Sequence, residues 1–335
     1  MARHSIPDII ERAEPRGARG IAPARPLAVS LLLSLRPAQW TKNLIVFGPL
    51  LLGQRLRDGV YVGTLLEGTA VLASIAAFLI FCALSGVVYL LNDVADREAD
   101  AKHPIKRYRP IASGAVPVSV ALTTAAVLGA VALGAAFWLR PAFGLLGTGY
   151  VGLLALYSGP LKHVVIIDVL TIAIGFVLRA AAGAVVIGVA ISHWLLILTI
   201  LLALFLALSK RRHELVLRAD EATSHRPILQ EYSPYLLDQM ISVVTASTLL
   251  AYAFYTVSPE TIEKFGSDRL VWTLPFPLYG IFRYLYLVHQ KEGGGSPSEM
   301  LQNDRPLLVC VALWVMVLSV IIYWSQIPIL TRLIG

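Results

Sequence analysis

Charge is scarce in these 335 residues: Asp, Glu, Lys and Arg make 15% of the chain, where soluble domains hold roughly a quarter. So little charge beside so much apolar surface excludes an ordinary soluble domain, and disorder too, which needs low hydrophobicity and high net charge. Cysteine is nearly absent. Cys82 and Cys310 both lie in apolar runs, which excludes a disulfide framework or a thiolate metal site and leaves two small buried hydrophobes. Acidic residues are outnumbered, 21 against 28 basic ones, for a net charge of +7. In a soluble chain that excess would suggest nucleic acid. Here 57% of residues are hydrophobic and the mean hydropathy is +0.71, so basic loops of a membrane protein explain the charge, and nucleic acid is not an expected partner.

What the chain does have is long apolar runs. A spanning helix needs about 20 such residues, and nine segments qualify: about 37–54, 68–91, 115–138, 142–160, 164–189, 193–209, 235–257, 271–288 and 306–325. The first is the weakest, with Trp40, Lys42 and Asn43 near its start. The runs are rich in Ala, Val and Leu without alternation, so they predict an all-α integral membrane protein rather than a barrel. Residues 1–26 carry five arginines and four prolines and read as a disordered basic arm. The remainder, 27–335, reads as a single transmembrane catalytic domain. Leu27–Leu35 is apolar like a signal peptide, but Arg36-Pro37-Ala38-Gln39-Trp40 follows where a small-residue cleavage site belongs. Twenty Lys and Arg residues fall on the amino-terminal side of the expected topology, six on the other, and Arg179 and Arg283 within spans. Basic loops stay inside, which predicts a cytoplasmic amino terminus, cytoplasmic loops after the second, fourth, sixth and eighth spans, and an external carboxyl terminus.

The second span runs into Asn92-Asp93-Val94-Ala95-Asp96-Arg97-Glu98-Ala99-Asp100. Asn92, Asp96 and Asp100 are spaced i, i+4, i+8, and Asp93, Asp96 and Asp100 i, i+3, i+7, so both sets fall on one helical stripe. Like charges on one face repel, and Mg²⁺ compensates them well, taking one or two carboxylates plus substrate phosphates. A solvated helix end paired to Arg97 and Lys102 is the plainer account. The stripe emerges directly from an apolar span, where ionisable groups are costly and usually functional. The loop that follows brings Lys102, Lys106, Arg107 and Arg109. An acid stripe followed by a basic loop suits a Mg-bound diphosphate, whose remaining oxygens Arg and Lys can hold; anchoring to anionic lipid explains the cations but not the acids beside them. His103, His163 and His213 lie in three separate loops without metal-ligand spacing and read as polar loop residues.

Asn92-Asp93-x-x-Asp96-x-x-x-Asp100 with Lys106-Arg107-x-Arg109-Pro110-Ile111-x-x-Gly114 resembles the first aspartate-rich motif of the UbiA-type intramembrane prenyltransferase superfamily. Arg36-Pro37-x-Gln39-Trp40-x-Lys42-Asn43 is similar to the start of that superfamily's first helix. The resemblance covers nearly all of the chain after about residue 30 and implies a helical bundle with a polar cavity on the cytoplasmic side. Ordinary members join a prenyl diphosphate to an aromatic acceptor and carry a second aspartate-rich motif after helix 6. Here that segment reads Leu208-Ser209-Lys210-Arg211-Arg212-His213-Glu214-Leu215, with cations in place of acids. Together with Tyr157-Ser158-Gly159-Pro160-Leu161-Lys162-His163 and Arg179-Ala180-x-x-Gly183, this resembles the decaprenyl-phosphate phosphoribosyltransferase branch, which moves 5-phosphoribose from phosphoribosyl diphosphate to a polyprenyl phosphate.

The resemblance implies Mg²⁺, with Mn²⁺ as the alternative ion, at Asp93, Asp96 and Asp100, Asn92 serving as ligand or orienter. The donor's diphosphate and 5-phosphate ask for two cationic groups. Lys106, Arg107 and Arg109 form one candidate; Lys162, Lys210 and Arg211 form the other, and which meets which phosphate stays open. Tyr157 and Lys162 are expected to hold the donor, Lys42 the acceptor phosphate, and Arg179 to face substrate unless it pairs with Asp168, about three turns away. Arg283 reads as snorkelling to the membrane edge. An acceptor phosphate is already an anion, so the reaction needs no general base, in keeping with the lack of a Ser-His-Asp or Cys-His constellation. The implied partners are phosphoribosyl diphosphate, a polyprenyl phosphate and the bilayer of a bacterial cytoplasmic membrane; a homo-oligomer stays open. Prenyl transfer to an aromatic acceptor and membrane transport are the competing readings. Against transport, the charges gather on one face and no span is clearly broken at mid-membrane.

Overall fold

The computed structural model describes residues 26–57, 60–190, 192–218, 228, 231–290, 300–301 and 303–324. The basic arm before residue 26 and the glycine-rich segment at 291–297 lie outside the described residues. The described residues open with α1 (Leu27–Ser34), an eleven-residue 3₁₀ helix (Pro37–Phe47) and α2 (Gly48–Leu52). A hairpin follows, β1 (Gln54–Arg57) against β2 (Val60–Gly63), antiparallel with Gln54 opposite Gly63. Then come α3 (Gly68–Ala95), α4 (Arg97–Lys102), α5 (Val118–Leu139), α6 (Pro141–Ser158), α7 (Ile167–Ile187), α8 (His193–Arg218), α9 (Pro234–Val257), α10 (Pro259–Phe265), α11 (Pro275–Gln290) and α12 (Arg305–Tyr323).

Among the described residues seven helices are long and apolar enough to cross a membrane: α3, α5, α6, α7, α8, α9 and α12. Each falls on an expected span. The other two expected spans are built differently. Segment 37–54 carries Pro37 and Pro49 and must turn Asn43 inward, and it forms a 3₁₀ helix and a five-residue α-helix rather than one rod. Runs of 3₁₀ this long are uncommon and often mark functional segments. Segment 271–288 becomes α11, sixteen residues starting at Pro275, or about 24 Å at 1.5 Å per residue, with a 3₁₀ turn at Arg269–Thr273 before it.

Helices α3 and α7 form the centre. Over half of each span is buried, 56% and 61%, against 22% for α5 and α6. The bundle shows Leu72 and Leu79 of α3's outward face, Trp138, Val243 and Phe254 on the outside, which a lipid surround accepts and water would not. Small residues let the centre close up. A Cβ on Gly183 of α7 would lie 2.2 Å from the carbonyl oxygen of Val46, so the 3₁₀ helix lies directly on α7 at this point. Helix α7 ends at Gly188, φ 67°, whose N–H donates to the Val185 carbonyl at 3.1 Å, the left-handed stop that glycine adopts without strain.

Candidate active site

Polar side chains collect at one end of the bundle, around the end of α3, the segment before the 3₁₀ helix, the α6–α7 connection and the end of α8. Helix α3 does not run unbroken through the acid stripe. It stops at Asp96, and α4 restarts at Arg97. The Asp96 N–H still donates to Asn92 at 2.9 Å and the Asp100 N–H to Asp96 at 2.8 Å, so the four-residue spacing survives the break. Asp93 and Asp100 are both buried. Arg109 Nη1 donates to Asp93 Oδ1 at 3.2 Å and to Asp100 Oδ2 at 2.6 Å. Arg36 also pairs with Asp93 and stacks over the Tyr89 ring at 4.8 Å. Asp96 faces the α6–α7 loop, where Lys162 Nζ donates to its Oδ1 at 3.1 Å. One guanidinium nitrogen thus stands between two carboxylates, at a point that a cation already occupies.

Does this donor set fit a metal? Among the described residues no group of three His, Cys, Asp or Glu side chains is placed to hold one, so there is no all-protein cage. Two buried carboxylates converging on a cation, with Asn92 and Asp96 on either side of Asp93 in sequence, do suit Mg²⁺, which keeps one or two carboxylates and fills its shell from phosphate and water.

Lys42 is half-buried and, among the described residues, makes no hydrogen bond or ion pair. It lies within electrostatic range of Lys210, Arg179 and Arg36, so among the described residues its charged neighbours are cations. Lys210 is half-exposed, 3.9 Å from Glu214. Lys106 is partly and Arg107 fully exposed; Arg107 Nη2 donates to the Tyr108 hydroxyl at 2.8 Å.

Two other expected site residues are buried and fully engaged. Arg179 donates from Nε to Asn43 Oδ1 at 2.7 Å, from Nη1 to the Gly175 carbonyl at 3.1 Å and from Nη2 to the Tyr150 hydroxyl at 2.6 Å. Its expected alternative, Asp168, belongs to a different cluster. Arg211 donates from Nε to Asp168 Oδ2 at 2.9 Å, from Nη1 to Glu214 at 2.7 Å and from Nη2 to the Tyr157 hydroxyl at 3.1 Å. Tyr232 completes that cluster, donating to Asp168 Oδ1 at 2.8 Å. Burial pushes its phenol up to about 12, so it keeps its proton at neutral pH. Arg283 pairs with Asp304 at 2.8 Å. His103 Nδ1 accepts the N–H groups of Ile105 and Lys106 at 3.1 and 3.3 Å, fixing its own turn, and His163 is exposed.

Sequence reasoning assigned no role to Arg36, Asn43, Tyr150, Glu214 or Tyr232, and weighed Asp168 only as a partner for Arg179. Arg36 and Asn43 stand inside a quoted motif, and their polarity beside an apolar run was the available signal. A lone Tyr in an apolar helix gives none.

The model of the UbiA prenyltransferase family matches residues 59–303. This chain belongs to that family. A decaprenyl-phosphate phosphoribosyltransferase of Corynebacterium glutamicum is 32% identical over 309 residues, covering 90% of this chain and 89% of that protein. One from Mycolicibacterium smegmatis is 30% identical over 325 residues, covering 94% and 98%. The solved structure of a UbiA homolog from Archaeoglobus fulgidus, bound to GPP and Mg²⁺, aligns with a TM-score of 0.65 at 18% identity, covering 88% of this chain and 99% of that one. At that identity the likeness establishes the fold alone, and it is the UbiA fold.

Proposed function

We propose that this chain transfers 5-phosphoribose from 5-phosphoribosyl 1-diphosphate to a polyprenyl phosphate of decaprenyl type, in a bacterial cytoplasmic membrane. The observation that carries the reading is Lys42, unpaired among the described residues and within electrostatic range of three further cations, one of which, Arg36, pairs with the carboxylate stripe. A stripe for one metal-bound diphosphate needs no second cationic field. A reaction that brings together a diphosphate, a 5-phosphate and a phosphate acceptor does. Similarity to two named phosphoribosyltransferases over nine-tenths of the chain supports the same reading.

Asp93 and Asp100, with Asp96 and Asn92 adjacent, would hold Mg²⁺ once Arg109 swings aside; Mn²⁺ suits the same oxygen donors. When bound, the metal neutralises charge growing on the departing diphosphate. The chain's own residues do the rest. Arg109 and Arg36, released from the stripe, hold diphosphate oxygens through forked hydrogen bonds, with Lys106 and Arg107 at the outer side. Lys162 and Tyr157 orient the donor. Lys42, with Lys210 near it, holds the acceptor phosphate, whose oxygen attacks C1 as the bond from C1 to the diphosphate breaks. A single displacement inverts the anomeric centre. The acceptor enters as an anion, so no proton needs removal, and rate comes from orientation and from stabilising the leaving group. Arg179 and Arg211 act from behind, fixing Asn43 and Tyr157. The product suits a lipid-linked pentose donor such as one used for arabinan. We read nine passes, the seven long helices plus the broken first segment and α11, with the acid end and the amino terminus in the cytoplasm and the carboxyl terminus outside.

Purified protein in detergent with Mg²⁺, polyprenyl phosphate and radiolabelled phosphoribosyl diphosphate tests the proposal, with Asp96→Ala alongside. Label is expected in the lipid fraction from the wild type and not from the variant. A folded wild type that labels no polyprenyl phosphate of any length would overturn it. Activity with a prenyl diphosphate and an aromatic acceptor would then establish the other family chemistry.

A further inference from the structure

Ile166, the last residue before α7, has φ 70° and ψ −42°. A β-branched side chain at positive φ is a steric outlier, and these angles are near the strained γ-turn. Such a conformation persists only where its surroundings impose it. Here the imposing group comes from far along the chain. The Ile166 N–H donates to the Tyr232 hydroxyl at 2.7 Å, and that hydroxyl donates to buried Asp168 at 2.8 Å. Asp168 accepts from Arg211, and Arg211 donates to Tyr157. The chain of bonds therefore holds both flanks of residues 157–166, and Lys162, which reaches Asp96 of the stripe, lies between them.

We propose that Tyr232 is a positioning residue: a latch from the segment before α9 that holds Ile166 in its strained turn and so keeps Lys162 aimed at the donor. The inference rests on the phosphoribosyl-transfer reading of the site. It assigns Tyr232 no contact with substrate. Its hydroxyl acts through backbone, so the ring alone cannot replace it.

The test uses full-length protein in detergent: wild type, Tyr232→Phe, Lys162→Met and the double variant, with phosphoribosyl diphosphate varied under constant Mg²⁺. Tyr232→Phe is expected to raise KM for phosphoribosyl diphosphate on the order of tenfold, with a smaller change in KM for the lipid, and to add little to Lys162→Met, since Lys162 is its route of action. A wild-type KM in Tyr232→Phe, or effects that multiply fully in the double variant, overturns the latch while wild-type transfer keeps the parent reading. If the wild type transfers nothing, the parent reading falls instead, and hydrogen exchange decides whether the restraint exists. The Ile166 amide is expected to exchange slowly in the wild type and faster in Tyr232→Phe. Should that variant not fold, wild-type exchange at Ile166 as fast as at an unprotected loop amide overturns the latch.

Discussion

Lys42 and Arg179 show how differently two cations near one membrane site can be used. Lys42 has electrostatic neighbours of its own sign and, among the described residues, no acid partner, an arrangement that is costly unless an anion arrives. Lys42→Met should therefore leave the fold intact, and even raise thermal stability, while KM for the lipid phosphate rises about tenfold to a hundredfold for the lost charge-assisted contact; steady-state kinetics against acceptor concentration measures it. Arg179 is the opposite case. Its three bonds to Asn43, Gly175 and Tyr150, and its place 4.5 Å over the Tyr150 ring, link the 3₁₀ helix to α6 and α7. Arg179→Met removes three buried hydrogen bonds, leaving Asn43 Oδ1 and the Tyr150 hydroxyl to Ser85, and should cost on the order of 3 kcal/mol, read as a lowered melting temperature in detergent. Unchanged stability in that variant would show that the network does not hold the 3₁₀ helix.

Among the elements, the 3₁₀ helix is where fold and function meet, because it carries Lys42 and Asn43, follows directly on Arg36 and lies on α7 at Gly183. Gly183→Ala places a methyl 2.2 Å from the Val46 carbonyl oxygen. The backbone there has to move, at a cost of about 1–3 kcal/mol, and transfer activity should fall further than stability does. Helix α12 offers a pH-dependent case. Asp304 caps it by accepting the Leu307 N–H at 2.9 Å, and hydrogen bonding from Arg283 holds its carboxyl below the ordinary value. A carboxyl lowered in the folded state contributes stability that is fully present above the ordinary Asp value, about 4, and lost as pH falls through the lower folded value. The melting temperature of the wild type should decline more steeply below pH 4 than that of Asp304→Asn. Parallel declines would remove Asp304 from the acid response.

At the scale of the whole molecule, one end of the bundle gathers the charged residues and the other carries the hairpin. Arg212 on α8, Asp238 on α9 and His289 on α11 join the same end as the acid stripe, Arg212 through an ion pair to Asp238 and His289 through a hydrogen bond to it. If this end is cytoplasmic, a cysteine replacing the exposed His163 should react with a membrane-impermeant thiol reagent in inverted vesicles and stay unreacted in right-side-out ones. Cys82 and Cys310 are buried and should give little background. The reverse pattern would invert the topology. Chelation with EDTA should abolish lipid labelling, and added Mg²⁺ should restore it without refolding.

Membrane passage, the acid stripe and the family were all legible along the chain. Each depends on residues close in sequence: an apolar run of sufficient length, carboxylates three and four residues apart, a basic loop directly after them. Tertiary structure decided which cations answer which acids. Arg36 and Arg109 meet Asp93 across 57 and 16 residues, and Arg179 meets Asn43 across 136. No local pattern encodes such partners, because the site is made where several helix ends converge. The same physics explains the two altered spans. Hydropathy reports how apolar a segment is, but prolines and inward-turned polar groups determine whether its backbone can be one helix. It also explains Arg211 and Arg179, which look like substrate ligands in sequence. Burial inside a bundle requires guanidinium donors to find acceptors, and for each of these two the protein supplies three.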